Sequence, residues 1–136
     1  MNIGEFAILL EKYAFARKAK GCSTSEILSL EARLKVQLPE DYKLFLSFCG
    51  HGVTSFLAGS SFVYEKLLDI RDAAEELVSE SGATPLPDNS IVFVMHQGYQ
   101  FYFLNKEGAY YYMEGRSEFE KRYSSFMEFF LSEVNQ

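Results

Sequence analysis

Tryptophan is absent from this chain, cysteine occurs twice, proline three times, and the 13 basic residues are outnumbered by 19 acidic ones. Two cysteines in separate segments, Cys22 and Cys49, make no disulfide framework, and Cys49 falls on the apolar side of a helical pattern, where a small buried thiol is common. With His51 and His96 they form no C-x-x-C or H-E-x-x-H pairing, so the spacing predicts neither a metal site nor a cofactor. The uncharged stretch Val53 to Tyr64 is too short and too rich in Ser, Thr and Gly to span a bilayer, which argues against a membrane protein. Glu5 and Glu11 interrupt the first apolar residues, with no basic start and no small-residue cleavage site, so the expectation is no secretory leader and a cytoplasmic location. A net charge of −6 disfavours a direct nucleic-acid partner.

What is present is a globular composition, 48% hydrophobic and 24% charged over 136 residues, which predicts one domain spanning 1–136. Ile3, Phe6, Ala7, Leu10, Tyr13 and Ala14 keep helical spacing and predict a first helix ending near Arg17. Ser23 and Glu26 have the spacing of a capping box, and Ile27, Leu30 and Leu34 follow on one stripe. Pro39 suits the first position of a next helix, with Glu40 and Asp41 at its positive end. Tyr42, Phe45, Leu46 and Cys49 then repeat at helical spacing, and Gly50 is placed for a left-handed cap.

Ile27, Glu31, Leu34, Leu38-Pro39, Tyr42, Phe45-Leu46 and Gly50, in that order, resemble the N-terminal signature of the SUKH superfamily, the Smi/Knr-like proteins. Leu86-Pro87 before the strand-like IVFVM, the aromatic run Tyr99 to Leu104, and Ser125-Phe126 opening a last helix extend the resemblance over most of the chain. Members often carry Asn-Gly-Gly after the second helix and a Trp or two; here the stretch is Cys49-Gly50-His51-Gly52 and there is no Trp. The resemblance implies an α+β fold in which N-terminal helices pack with a largely antiparallel sheet and a C-terminal helix. It also implies a protein-binding role, in bacteria that of an immunity protein neutralising a cognate toxin domain, often a nuclease.

The residues support such a fold on their own. Ile91 to Met95, Tyr99 to Leu104 and Ala109 to Met113 are rich in β-branched and aromatic side chains and are separated by short turns, as in a meander. Val53 to Tyr64 predicts a loop and then a short strand around Phe62 and Val63. Asp69 to Ser81 predicts a helix with Ile70, Ala73, Ala74 and Leu77 inward and its acids in solvent.

Two features point to a partner. Glu65, Asp69, Asp72, Glu75, Glu76 and Glu80 face only Lys66 and Arg71 in their segment, a local charge of −4 that favours a basic partner. Alternation along the strands leaves both sheet faces apolar, and Tyr102, Tyr110 and Tyr112 are candidates for ring contacts on the face the helices leave open. That face would equally serve a homodimer. No catalytic constellation is visible: Cys49 and His51 lack an orienting third group, His96 reads as a hairpin residue, and Gly50-x-Gly52 follows a helix rather than a strand. The expectation is therefore a non-enzymatic module binding a basic toxin domain. The alternatives are a regulatory interaction module without a toxin partner, and a small-ligand binder using a pocket under the Val53 to Ser61 loop.

Overall fold

Ser23 Oγ accepts the Glu26 N–H at 3.1 Å while Glu26 Oε1 accepts the Ser23 N–H at 2.8 Å, so the predicted capping box fixes a helix start. The computed structural model describes residues 1–53 and 56–135, with residues 14 and 15 by backbone alone. In chain order the elements are α1 (Ile3–Leu10), a 3-10 turn (Ala14–Lys18), α2 (Thr24–Leu34), α3 (Glu40–Cys49), β1 (Ser60–Ser61), a second 3-10 turn (Tyr64–Lys66), α4 (Leu67–Glu80), β2 (Ile91–His96), β3 (Gln100–Asn105), β4 (Gly108–Met113), β5 (Glu120–Tyr123) and α5 (Phe126–Val134). This is the α+β architecture expected, with one antiparallel sheet in the order β1-β2-β3-β4-β5.

Three local expectations are corrected. α1 stops at Leu10 because the N–H groups of Lys12 and Tyr13 turn to the carbonyls of Leu9 and Leu10, three residues back, and this tighter winding ends the helix. Gly50 is not left-handed: its φ is −61°. Glycine is needed there for closeness, since a Cβ would overlap Cys22 Sγ and come within 2.7 Å of the Leu46 carbonyl oxygen. The short strand before α4 is Ser60–Ser61, paired with His96 and Met95, rather than Phe62 and Val63, and residues 54 and 55 of the preceding loop lie outside the described residues.

Aromatic rings from α1, α3, α5 and the sheet meet in one core. Tyr42 lies 5.0 Å from Phe126 and 6.1 Å from Phe93, Phe6 lies 5.6 Å from Phe130, and Phe129 sits 4.9 Å from both Phe93 and Tyr102. Each fully buried ring of this kind contributes about 1.5–3 kcal/mol of burial free energy. α5 thus covers the sheet face carrying Phe93 and Tyr102. α4 packs along β2, whose residues Ile91 to Met95 are buried on both sides. Phe119 closes over Phe103 and Tyr112, at 5.0 and 5.5 Å. Both faces of β2, β3 and β4 are therefore largely covered, while β5 stays exposed at the edge.

Candidate protein-docking surface

α4 separates its residues by chemistry. Leu67, Ile70, Ala74, Leu77 and Val78 are buried, and Ala73, expected inward, is exposed because Val78 completes the inner stripe in its place. Arg71 is only 16% exposed: its Nε donates to Glu75 Oε1 at 2.8 Å, and a terminal nitrogen donates to the Ser90 carbonyl oxygen, tying the helix to the segment before β2. Glu75 is thereby neutralised, and Glu65 is bonded to His51. The other four acids, Asp69, Asp72, Glu76 and Glu80, are exposed at spacings that align them along one outer stripe, roughly 17 Å long at the helical rise. None of the four has a cationic side chain within 4.0 Å among the described residues.

Asp69, in the first turn, complements the positive end of the α4 dipole, but Glu80 does the opposite. The last turn of the helix carries no basic residue and ends at Glu80, so negative charge stands at the negative end of the dipole. Such a charge ordinarily costs a few tenths of a kcal/mol or more. Glu80, placed against this local rule, is an exception of the kind found where a surface serves binding.

The three tyrosines do not form the expected surface. Tyr102 is paired with Tyr111 across the strands, whereas Tyr110 and Tyr112 oppose Phe103 and Phe101, so Tyr102 lies on the face opposite the other two. Tyr112 is 0% exposed and its hydroxyl donates to the Arg116 carbonyl oxygen at 2.7 Å, which removes it from any partner-binding role. Tyr102 lies under Phe129, and its hydroxyl accepts from Arg122 at 3.0 Å; burial raises its pKa. Tyr102 and Tyr110 both keep partial exposure, Tyr110 being stacked on Phe103 with its hydroxyl donating to Glu107 at 3.2 Å. The three tyrosines therefore do not present one continuous aromatic surface to a partner or a second copy.

Arg122, which no sequence signal singled out, lies 3.7 Å above the Tyr111 ring and bonds Glu120 at 3.0 Å. Near the loop suspected of covering a ligand pocket, Leu57, Ser60, His96, Tyr102, Arg122 and Glu133 line a space of about 170 Å³. That is below the roughly 300–1,000 Å³ usual for small-molecule sites.

A second cluster was also invisible in the spacing. The His51 ring lies between two carboxylates, its Nε2 2.8 Å from Glu26 Oε2 and its Nδ1 bonded to Glu65 Oε1. These bonds, first to Glu26 and then to Glu65, raise the pKa of His51, and His51 lowers that of Glu26. Cys22 Sγ belongs to the same group: it, a Glu26 carboxylate oxygen and a His51 ring nitrogen all lie within 4.8 Å of one another. Burial, with Glu26 and Glu65 adding to it, pushes the Cys22 thiol up to about 12. Cys49 is buried and free, and burial alone raises its thiol to about 12.

Among the described residues no helix is long and apolar enough to cross a membrane. Residues 21–132, from just before α2 into α5, match the model of the SMI1 / KNR4 family (SUKH-1). No curated protein matches the chain.

Proposed function

This chain belongs to the SMI1 / KNR4 family (SUKH-1), and we propose that it is a non-enzymatic protein-binding module of the immunity type, which binds and neutralises a cognate toxin domain with a basic surface. The observation that carries this reading is the outer stripe of α4, where Asp69, Asp72, Glu76 and Glu80 stand exposed without a cationic side chain within 4.0 Å among the described residues. An enzyme that handles nucleic acid must present basic groups to phosphates, and an acidic helix face can occupy those groups. The field of four aligned carboxylates speeds encounter and penalises acidic partners. The module works in the cytoplasm and performs no chemistry on its partner.

The test is capture of partners from lysate of the producing cell at low and then high salt, followed by assay of the captured polypeptide's activity with and without added module. A basic effector inhibited by stoichiometric module supports the reading. The family match also suits a regulatory interaction module. That second reading predicts capture of proteins whose activity persists in the complex.

A further inference from the structure

We propose that Cys22, Glu26 and His51 form a binding site for a single zinc-class divalent cation, with water in the remaining coordination position. The donor set is one sulfur, one imidazole nitrogen and one carboxylate oxygen. Zinc accepts all three donor types, at bond lengths of roughly 2.0–2.3 Å, which place tetrahedral ligands about 3.3–3.8 Å apart. Ligand atoms that already lie within 4.8 Å of one another need only small rotations to reach that spacing.

The surroundings hold each ligand in place. Glu26 has one oxygen committed to the Ser23 N–H at 2.8 Å, leaving Oε2 directed at His51. His51 has Nδ1 committed to Glu65, which leaves Nε2 directed at Glu26 Oε2 beside the Cys22 thiol of the same group. A carboxylate on the far nitrogen of a ligating histidine is the usual outer partner of a metal site, and ligating carboxylates are themselves ordinarily hydrogen-bonded.

The backbone brings the three ligands together. Lys20 and Gly52 pair as an antiparallel bridge, His51 N–H donates to the Lys20 carbonyl oxygen at 2.8 Å, and Cys22 N–H donates to that of Leu46 at 2.8 Å. Gly50 leaves the space that the thiol occupies. Cys22 forms the floor at 7% exposure, while the side chains of His51 and Glu26, 24% and 34% exposed, leave an entry from solvent. A bound cation replaces the Cys22 thiol proton and the His51 Nε2 proton, which leave to water, and pins the start of α2 to the end of α3.

The probe is Co(II) titrated into the full chain under reducing conditions, followed by displacement with Zn(II). The expected result is one Co(II) per chain with a thiolate-to-cobalt charge-transfer band that Zn(II) abolishes. The band disappears in Cys22→Ser and persists in Cys49→Ser. Glu65→Gln, a surface change outside the ligand set, weakens Zn(II) binding about 10- to 100-fold. Thermal unfolding of the wild type with and without Zn(II) gives an independent reading should Cys22→Ser fail to fold: a saturable rise in Tm that is absent in His51→Gln is expected. No charge-transfer band, a band retained in Cys22→Ser, or a Zn(II)-induced Tm rise unchanged in His51→Gln would overturn the proposal and leave the cluster a hydrogen-bonded clamp only.

Discussion

Asp41 and Met127, 86 residues apart in sequence, are joined by one hydrogen bond: Asp41 Oδ2 accepts the Met127 N–H at 2.9 Å. The other oxygen of Asp41 accepts the Tyr42 N–H at 2.8 Å. A carboxylate in the first turn of α3 thus serves an open donor at the start of α5 as well as one in its own helix, and links two elements of the same aromatic core. Asp41→Ala is expected to lower stability by about 1–3 kcal/mol, because the half-buried Met127 donor is left without its partner. Urea unfolding of the two proteins checks this, and equal midpoints would contradict it.

Tyr42 is entirely buried and its hydroxyl has no hydrogen-bond partner among the described residues, and desolvation drives its pKa up. Tyr42→Phe keeps the ring contacts with Phe126 and Phe93 and removes the unsatisfied group. Stability is therefore expected to stay level or rise by about 1 kcal/mol. Tyr42→Ala, by contrast, should cost about 3–5 kcal/mol through the cavity it opens. A loss of comparable size in both variants would show that the hydroxyl is satisfied in solution.

Gly50→Ala forces a methyl group against Cys22 Sγ and the Leu46 carbonyl, and should destabilise by about 1–3 kcal/mol. The double variant with Cys22→Ala should recover only part of the loss, since the backbone overlap remains. Full recovery would mean that the thiol alone makes glycine necessary.

Burial raises the carboxyl pKa of Glu133. A group whose folded pKa lies above its unfolded value contributes stability below the unfolded pKa and loses that contribution as pH rises through the folded one. Glu133→Gln should therefore gain in Tm over wild type at pH 7 and lose most of that advantage near pH 4. Thermal melts of both proteins at the two pH values decide it; a pH-independent difference would point to packing instead.

The parts of this fold that were legible are those set by neighbours in sequence. The Ser23–Glu26 box and the turns between β2, β3 and β4 follow from local backbone chemistry, and Pro39 marks the start of α3 as its extended N-cap, one position before the first helical residue where it was expected. Glu31 was read as one member of a pattern, and its role is physical: Oε2 accepts the Leu38 N–H at 2.8 Å, fastening the end of α2 to the Leu38-Pro39 turn. β5 escaped notice because EKRY is charged and largely exposed, so it has no apolar alternation to reveal it. The tyrosines were misplaced because alternation assigns faces within a strand, while the Tyr102–Tyr111 register between strands decides which rings meet. The Cys22, Glu26 and His51 group depends on the Lys20–Gly52 bridge, which residue spacing does not encode. The acidic segment was read directly, but only the structure separates Asp69, Asp72, Glu76 and Glu80 from Glu65 and Glu75, which are engaged internally.

The central claim is that this outer stripe of α4 docks a basic protein partner. It is tested most directly by the association rate of the captured partner with wild type and with a variant carrying Asp69→Asn, Asp72→Asn, Glu76→Gln and Glu80→Gln, measured across ionic strength. The account predicts a wild-type rate that falls steeply with salt, and a variant rate about 10-fold or more lower at low salt and nearly independent of it. Equal rates and equal salt slopes for the two proteins would contradict it.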